Sequence, residues 1–364
     1  MGVRLAAQAA LGAALLASSA GAQASAERAA SIIIFPHVVA DGSRDTVIQL
    51  NNIGNSLVRA KCFYVSRELT PTLQRSAPAN PIEIQVTAFE IVLTVQQPTH
   101  WVASRGRLVD PQDPACQVTP ACEPENIECD GAGLDPGVVP ALGASSFQGA
   151  LLCVETGFDG HPVSGNHFTG IATITQAANG SANQYSAIGL PGNDNNDGDD
   201  RLCLGGEVSA ECPFGGEYDP CPDTWFLHHF PQGAEDSLLG AGSSVETSLT
   251  FIGCSMDLQA QTSQVVPLSI IAAASTGNVV ASASIEGLEQ RSLTDLSQGF
   301  GVAALGSAAV VTRFSSTAAG GILVAAEHIY RAQDPARGVH LASSNLHHEG
   351  AAGPPGVIIL PAPP

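Results

Sequence analysis

The sequence predicts an all-β protein, an antiparallel β-sandwich arranged as two Ig-like sandwich units with cysteine-rich acidic loop inserts, or as one large sandwich with two inserts. Three observations predict it. Short apolar or alternating runs recur along the chain, Gly-rich turn signals separate them, and helical periodicity is nearly absent. Gly and Pro supply 38 and 24 of the 364 residues, below the roughly 25–30% that marks low-complexity chains. A hydrophobic content of 44% suffices for a sizeable core.

Residues 1–22 read as a secretory signal peptide. Arg4 supplies the positive start, Leu5 to Leu16 the apolar stretch, and Ala20-Gly21-Ala22 the small-residue cleavage pattern. That stretch falls short of the about 20 residues a bilayer span needs. A buried N-terminal helix is the competing reading. Export gives the nine cysteines a meaning, because an oxidising compartment pairs them and the pairs hold loops that a modest core cannot. The absence of CxxC disfavours thioredoxin-like redox work and zinc ribbons. The expected location is secreted: extracellular, periplasmic or cell-surface.

The first sandwich unit is expected over 23–190, with strands at 31–39, 46–52, 57–65, 82–95, 146–155, 168–176 and 185–190. Alternation is clearest at Ile82-Glu83-Ile84-Gln85-Val86-Thr87, and its phase slips at Ala88-Phe89, as a bulge or a run buried on both faces would produce. The second unit, 224–334, carries runs at 224–230, 245–254, 264–274, 278–285, 308–314 and 321–330. Helical turns are expected only near 234–239 and 293–297. Residues 335–364 read as a Gly/Pro-rich C-terminal tail.

Two acidic inserts interrupt the strands. Residues 110–136 hold seven acids, no bases and Cys116, Cys122 and Cys129. Residues 191–223 hold nine acids, one Arg and Cys203, Cys212 and Cys221. They account for most of the net charge of −20, so the acidity is local. With 14 basic against 34 acidic residues, the field repels nucleic acid and anionic membranes, and no later apolar run is long enough for a membrane span. Long loops in a compact domain are usually functional when they are not disordered, and cysteines argue against disorder. One local bridge per insert is expected, with others tying the inserts together or to the sheets. Cys221 with Cys254 is the pair singled out, clamping the second half.

The strongest chemical candidate is the run Asn193-Asp194-Asn195-Asn196-Asp197-Gly198-Asp199-Asp200. Calcium takes six to eight hard oxygens on a sharply turning backbone, and such a run supplies both. Gly198 in the sixth place puts Asn193, Asn195 and Asp197 at the first, third and fifth ligand positions. Asp199 follows through its carbonyl, and Asp200 completes the candidate calcium set. The run resembles EF-hand and dockerin-type loops over these residues, but Leu204 stands where a bidentate Glu belongs. The competing reading is a solvated acidic tip.

Other motifs carry less. His228 and His229 are adjacent, so on a strand they face opposite ways. Trp225, Phe226 and Phe230 place one of them in a core. His347-His348-Glu349 lacks recognisable metal spacing. No GxSxG, HExxH or Walker loop occurs. Glu90 and Glu155 on apolar strands are a conceivable glycosidase pair, though solvent-facing strand carboxylates are the more economical reading.

The blocks Phe35-Pro36-His37-Val38-Val39 with Asp45-Thr46-Val47-Ile48-Gln49-Leu50-Asn51-Asn52, and Tyr218-Asp219-Pro220-Cys221-Pro222 with Leu249-Thr250-Phe251-Ile252-Gly253-Cys254, resemble uncharacterised secreted bacterial β-sandwich proteins. The resemblance implies architecture and export and brings no chemistry with it. The functional expectation is a non-catalytic secreted or cell-surface structural and binding module, calcium-stabilised, with a protein or surface polymer as partner. The rival is an extracellular hydrolase drawing carboxylates from the inserts. An enzyme should show a concave site with convergent acid–base groups, a binding module exposed acidic loops.

Overall fold

The computed structural model describes residues 28–67, 82–107, 137–143, 146–177, 180–235, 242–274, 277–316, 320–334, 339–344, 347–348 and 355–362. Residues 1–22, expected as a signal peptide, and the expected insert at 110–136, with Cys116, Cys122 and Cys129, lie outside them.

The chain is all-β. The first half forms β1 (Ile32–Ala40), β2 (Arg44–Asn52), β3 (Val58–Ser66), β4 (Ile82–Glu83), β5 (Gln85–Leu93), β6 (Pro98–Val102), β7 (Phe147–Thr156), β8 (Phe168–Gln176), β9 (Ser181–Ser186), β10 (Ile188–Leu190) and β11 (Arg201–Leu204). The second half forms β12 (Thr224–His229), β13 (Ser244–Gly253), β14 (Met256–Asp257), β15 (Thr262–Ser263), β16 (Val265–Ala274), β17 (Gly277–Glu286) and β18 (Leu288–Ser292). It continues through β19 (Val310–Ser316), β20 (Ile322–Arg331), β21 (Val339–Ser344), β22 (His347–His348) and β23 (Gly356–Ile359). Two single helical turns, Leu293–Leu296 and Val302–Leu305, separate β18 from β19. The first is capped by Ser292, whose hydroxyl accepts from Asp295 N at 3.2 Å while Asp295 answers to Ser292 N at 3.1 Å.

A nine-stranded sheet runs β5-β3-β7-β1-β2-β8-β9, with β10 on β1 and β6 on β2. The second half contributes the sheets β17-β16-β19-β12-β22 and β18-β13-β20-β21. A small sheet, β11-β23-β14-β15-β4, draws its strands from both halves and the C-terminal end. Among the described strands every ladder is antiparallel except β14 with β23.

The central strands β3, β7 and β1 of the nine-stranded sheet are buried on both faces, which explains their apolar runs. Ile32 and Ile34 enter one hydrophobic cluster, shared with the second-half sheets, while Ile33 and Phe35 enter another. A register shift between Phe35 and Val38 inserts one residue, so Val38 and Ala40 join Ile33 and Phe35 in the second cluster. A one-residue slip reverses which face a side chain takes, and Pro36-His37 makes it here.

The run 82–95 is two strands rather than one. β4 pairs with β15 in the small sheet, and β5 pairs with β3 in the large one. The phase slip at Ala88-Phe89 is not a bulge, because the β3–β5 register is unbroken. Val86 packs on the first cluster, whereas Phe89, Ile91 and Leu93 lie in the second. The slip marks the point where the covered face of the strand changes.

Residues 335–364, expected as a tail, contribute β21, β22 and β23. Leu202 and Ile358, opposite each other on β11 and β23, are both buried, and Lys61, the single lysine, donates to Pro361 O at 2.7 Å. Disulfides join Cys62 to Cys153 across β3 and β7, Cys203 to Cys212 within the acidic segment, and Cys221 to Cys254. Among the described residues no helix is long and apolar enough to cross a membrane.

Candidate functional site

The acidic segment 191–223 is built from its own short-range hydrogen bonds. Asn193 Oδ1 accepts from Asn195 N at 2.8 Å, Asn196 Oδ1 from Gly198 N at 2.8 Å, Asp197 Oδ1 from Asp199 N at 3.1 Å and Asp199 Oδ1 from Arg201 N at 2.7 Å. Each Asx turn bends the backbone by bonding two residues ahead, which is why this composition stays a loop. Gly198 takes φ 75°, a conformation other residues resist.

The run is then moored to the frame by residues that sequence reasoning missed. Asn193 and Asn195 donate their amides to Gly216 O at 2.9 and 3.2 Å, and Asn196 donates to the Tyr218 hydroxyl at 2.6 Å. Glu217 is buried, and its carboxylate accepts from Asp197 N at 3.0 Å and Cys203 N at 2.8 Å. Burial pushes the Glu217 carboxyl above its ordinary value, against the pull of those two N–H donors. Burial likewise raises Asp219, opposed by the Arg28 guanidinium 3.4 Å away. The signal for Glu217 was its place between Gly216 and Tyr218 in an otherwise solvated segment, which is faint.

Of the calcium candidates, Asn193, Asn195, Asp197 and Asp199 are exposed and Asp200 is half-buried. They lie along a succession of turns. Among the described residues no group of three or more His, Cys, Asp and Glu side chains is gathered for a metal ion. The run does form one wall of a cleft of about 540 Å³, lined by Asn193, Asp194, Asn196 and Asp197 on one side and Asp159, His161 and Ser164 on the other. Cys203–Cys212 closes the adjoining loop, where Val208 and Phe214 stand exposed at 72% and 59%.

Beyond this wall the loop before β8 holds a second polar centre. Glu90 faces solvent, but Glu155 is buried and does not. β7 lies between β1 and β3 with both faces covered, so the carboxylate at its end turns to His167, whose Nδ1 stands 2.6 Å from Oε1. Glu155 Oε2 also accepts from His167 N and Ser31 Oγ, each at 3.3 Å. Asn166, next to His167, bonds Gly192 in both directions, at 2.7 and 2.8 Å. The loop carrying His167 and the root of the acidic segment are thereby one unit. Of the His228–His229 pair, His229 is buried and His228 exposed.

No protein-family model matches the chain, and no curated protein does. Two solved structures of single-substitution mutants of the major pilin from Streptococcus pyogenes align with it at 11% and 10% identity. Each alignment covers 88% of this chain and 97% of the pilin, with a TM-score of 0.14, a level at which no common fold follows.

Proposed function

We propose that the chain is a secreted or cell-surface structural and binding module, in which a disulfide-stapled β-frame presents the acidic segment 191–223 to a protein or surface-polymer partner. The observation that carries this reading is the construction of the segment. Its carboxylates at Asp194, Asp197 and Asp199 face water, while Glu217, Tyr218 and the Cys203–Cys212 bridge hold the backbone beneath them. Rigid loops with exposed charge lose little entropy on binding, so they suit recognition. Recognition of this kind is non-catalytic. The companion segment 110–136 carries seven further acids and no bases in its sequence.

Calcium is the cofactor this reading implies. The ion would be held by Asn193, Asn195, Asp197, Asp199 and Asp200, exchanging some of the Asx bonds for metal–oxygen contacts and neutralising clustered charge. The test is thermal unfolding with calcium and with a chelator. Calcium should raise the melting temperature, and Asp197→Ala should abolish the rise. Identical curves in the two buffers would eliminate calcium.

The second reading, an extracellular hydrolase with carboxylates from the inserts, is favoured by the cleft where Asp159 and His161 face Asp194 and Asp197. Loss of hydrolysis in Asp197→Asn without loss of partner binding would select it.

A further inference from the structure

The Glu155–His167 pair continues to a third side chain that the acidic segment does not use. Ser56 sits exposed in the turn between β2 and β3, with its Oγ 3.4 Å from His167 Nε2. We propose that Ser56, His167 and Glu155 are the nucleophile, the general base and the orienting carboxylate of a site that transfers the acyl group of a carboxylic ester to water. This goes beyond the binding reading and does not depend on it.

The chemistry needs a ring with one nitrogen fixed and the other free to take a proton. With the Nδ1 proton directed at Glu155 Oε1, the Nε2 lone pair is left on the side of Ser56. Solvent access falls in the required order: Ser56 is exposed, the His167 side chain is 26% exposed and the Glu155 side chain 3%. The partners come from three separate elements, the β2–β3 turn, the loop before β8 and the end of β7.

The arrangement is also held still. Gly54 and Gly165 flank the imidazole, and a Cβ on either would overlap the His167 ring, at Gly165 the Glu155 carboxylate as well. Asn52 locks the serine turn, donating to Ser56 O at 2.7 Å and Thr94 O at 2.8 Å while accepting from Gly54 N at 2.8 Å. Ile53 N reaches His167 O at 2.9 Å, tying the turn to the base directly. Such positioning from neighbouring residues is what nucleophile–base pairs require, and their separation tightens when substrate binds.

The steps balance with water as co-reactant. Ser56 Oγ forms a bond to the ester carbonyl carbon while His167 Nε2 takes the hydroxyl proton. The proton passes to the departing alkoxide, which leaves as the alcohol with its C–O bond broken. Water then attacks the acyl-serine, losing its proton to His167, and the carboxylic acid departs as Ser56 recovers its hydrogen.

The test uses the full disulfide-bonded chain, a fluorophosphonate probe and 4-nitrophenyl butyrate. The probe should label the peptide containing Ser56, and ester turnover should saturate. Ser56→Ala, at an exposed turn, should leave the melting temperature unchanged, lose the label and lower turnover by about 100-fold or more. Glu155→Gln should lower kcat with KM held, a split that a carboxylate serving only the fold does not produce. Turnover by the native chain no faster than by Ser56→Ala, or a probe that labels nothing or another residue, overturns the proposal.

Discussion

The hydroxyl of Tyr185 satisfies both backbone groups of His37. It donates to His37 O at 2.6 Å and accepts from His37 N at 3.1 Å. Those groups left the ladder when Pro36-His37 made the register shift in β1, so the bulge is completed by a side chain from β9. The His37 ring then crosses to the second half, where Nδ1 meets Thr250 Oγ1 at 2.9 Å. Nearby, Glu327 accepts from Arg44 at 3.2 Å and Asn183 at 3.0 Å. The nine-stranded and four-stranded sheets therefore meet through a buried polar patch as well as through apolar packing.

Tyr185→Phe should leave the His37 N–H and carbonyl unmet in a buried place. Unsatisfied buried groups cost about 1–3 kcal/mol each, so a loss of about 2–6 kcal/mol is expected for the two. The midpoint of urea unfolding measures it, and an unchanged midpoint would mean that the bulge relaxes at no cost.

Acid should weaken the fold through its buried imidazoles. Burial holds the pKa of His229 down to about 4, against a backbone hydrogen bond with Leu227 that favours the charged ring. His37 and His328 are also lowered, chiefly by burial, with Glu327 opposing. A lowered folded-state value means that the unfolded chain takes the proton first. The His229 contribution is therefore intact above pH 6.5 and lost as pH falls towards about 4, by roughly 3 kcal/mol over that window. His229→Leu should move the acid-unfolding midpoint to lower pH, and a midpoint that stays put would assign the acid limb to other groups.

The Cys221–Cys254 bond spans 33 residues of sequence and joins the end of the acidic segment to the end of β13. Replacing both with Ala should cost about 3–4 kcal/mol on the chain-entropy account. Cys203–Cys212 closes only 9 residues, so its double replacement should cost less, about 2–3 kcal/mol, and loosen the acidic segment locally. Denaturant melts of the two double variants rank the bonds, and the reverse order would refute the loop-length argument.

Much of the frame is legible in the sequence, because a strand announces itself locally. Alternation along 168–176 reappears as the burial pattern of β8, and the helical turn near 293–297 forms where Ser292 caps it. The polar centres are much less legible. Glu155 reads as a solvent-facing strand residue until both faces of β7 are known to be covered, Leu152 and Val154 entering one cluster and Leu151 and Cys153 the other. Ser56 and His167 are 111 residues apart and carry no motif that joins them.

By itself, then, the sequence determined the all-β class, the positions of most of the long strands and the concentration of net charge in two segments, because side-chain period and composition are properties of neighbouring residues. Only the tertiary structure decided that 356–359 is a strand, that the slip in β5 is an exchange of cores, and that a serine, a histidine and a carboxylate stand in line. Those outcomes depend on which distant segments pair and which faces they cover, and the energy that selects them comes from contacts no local pattern encodes.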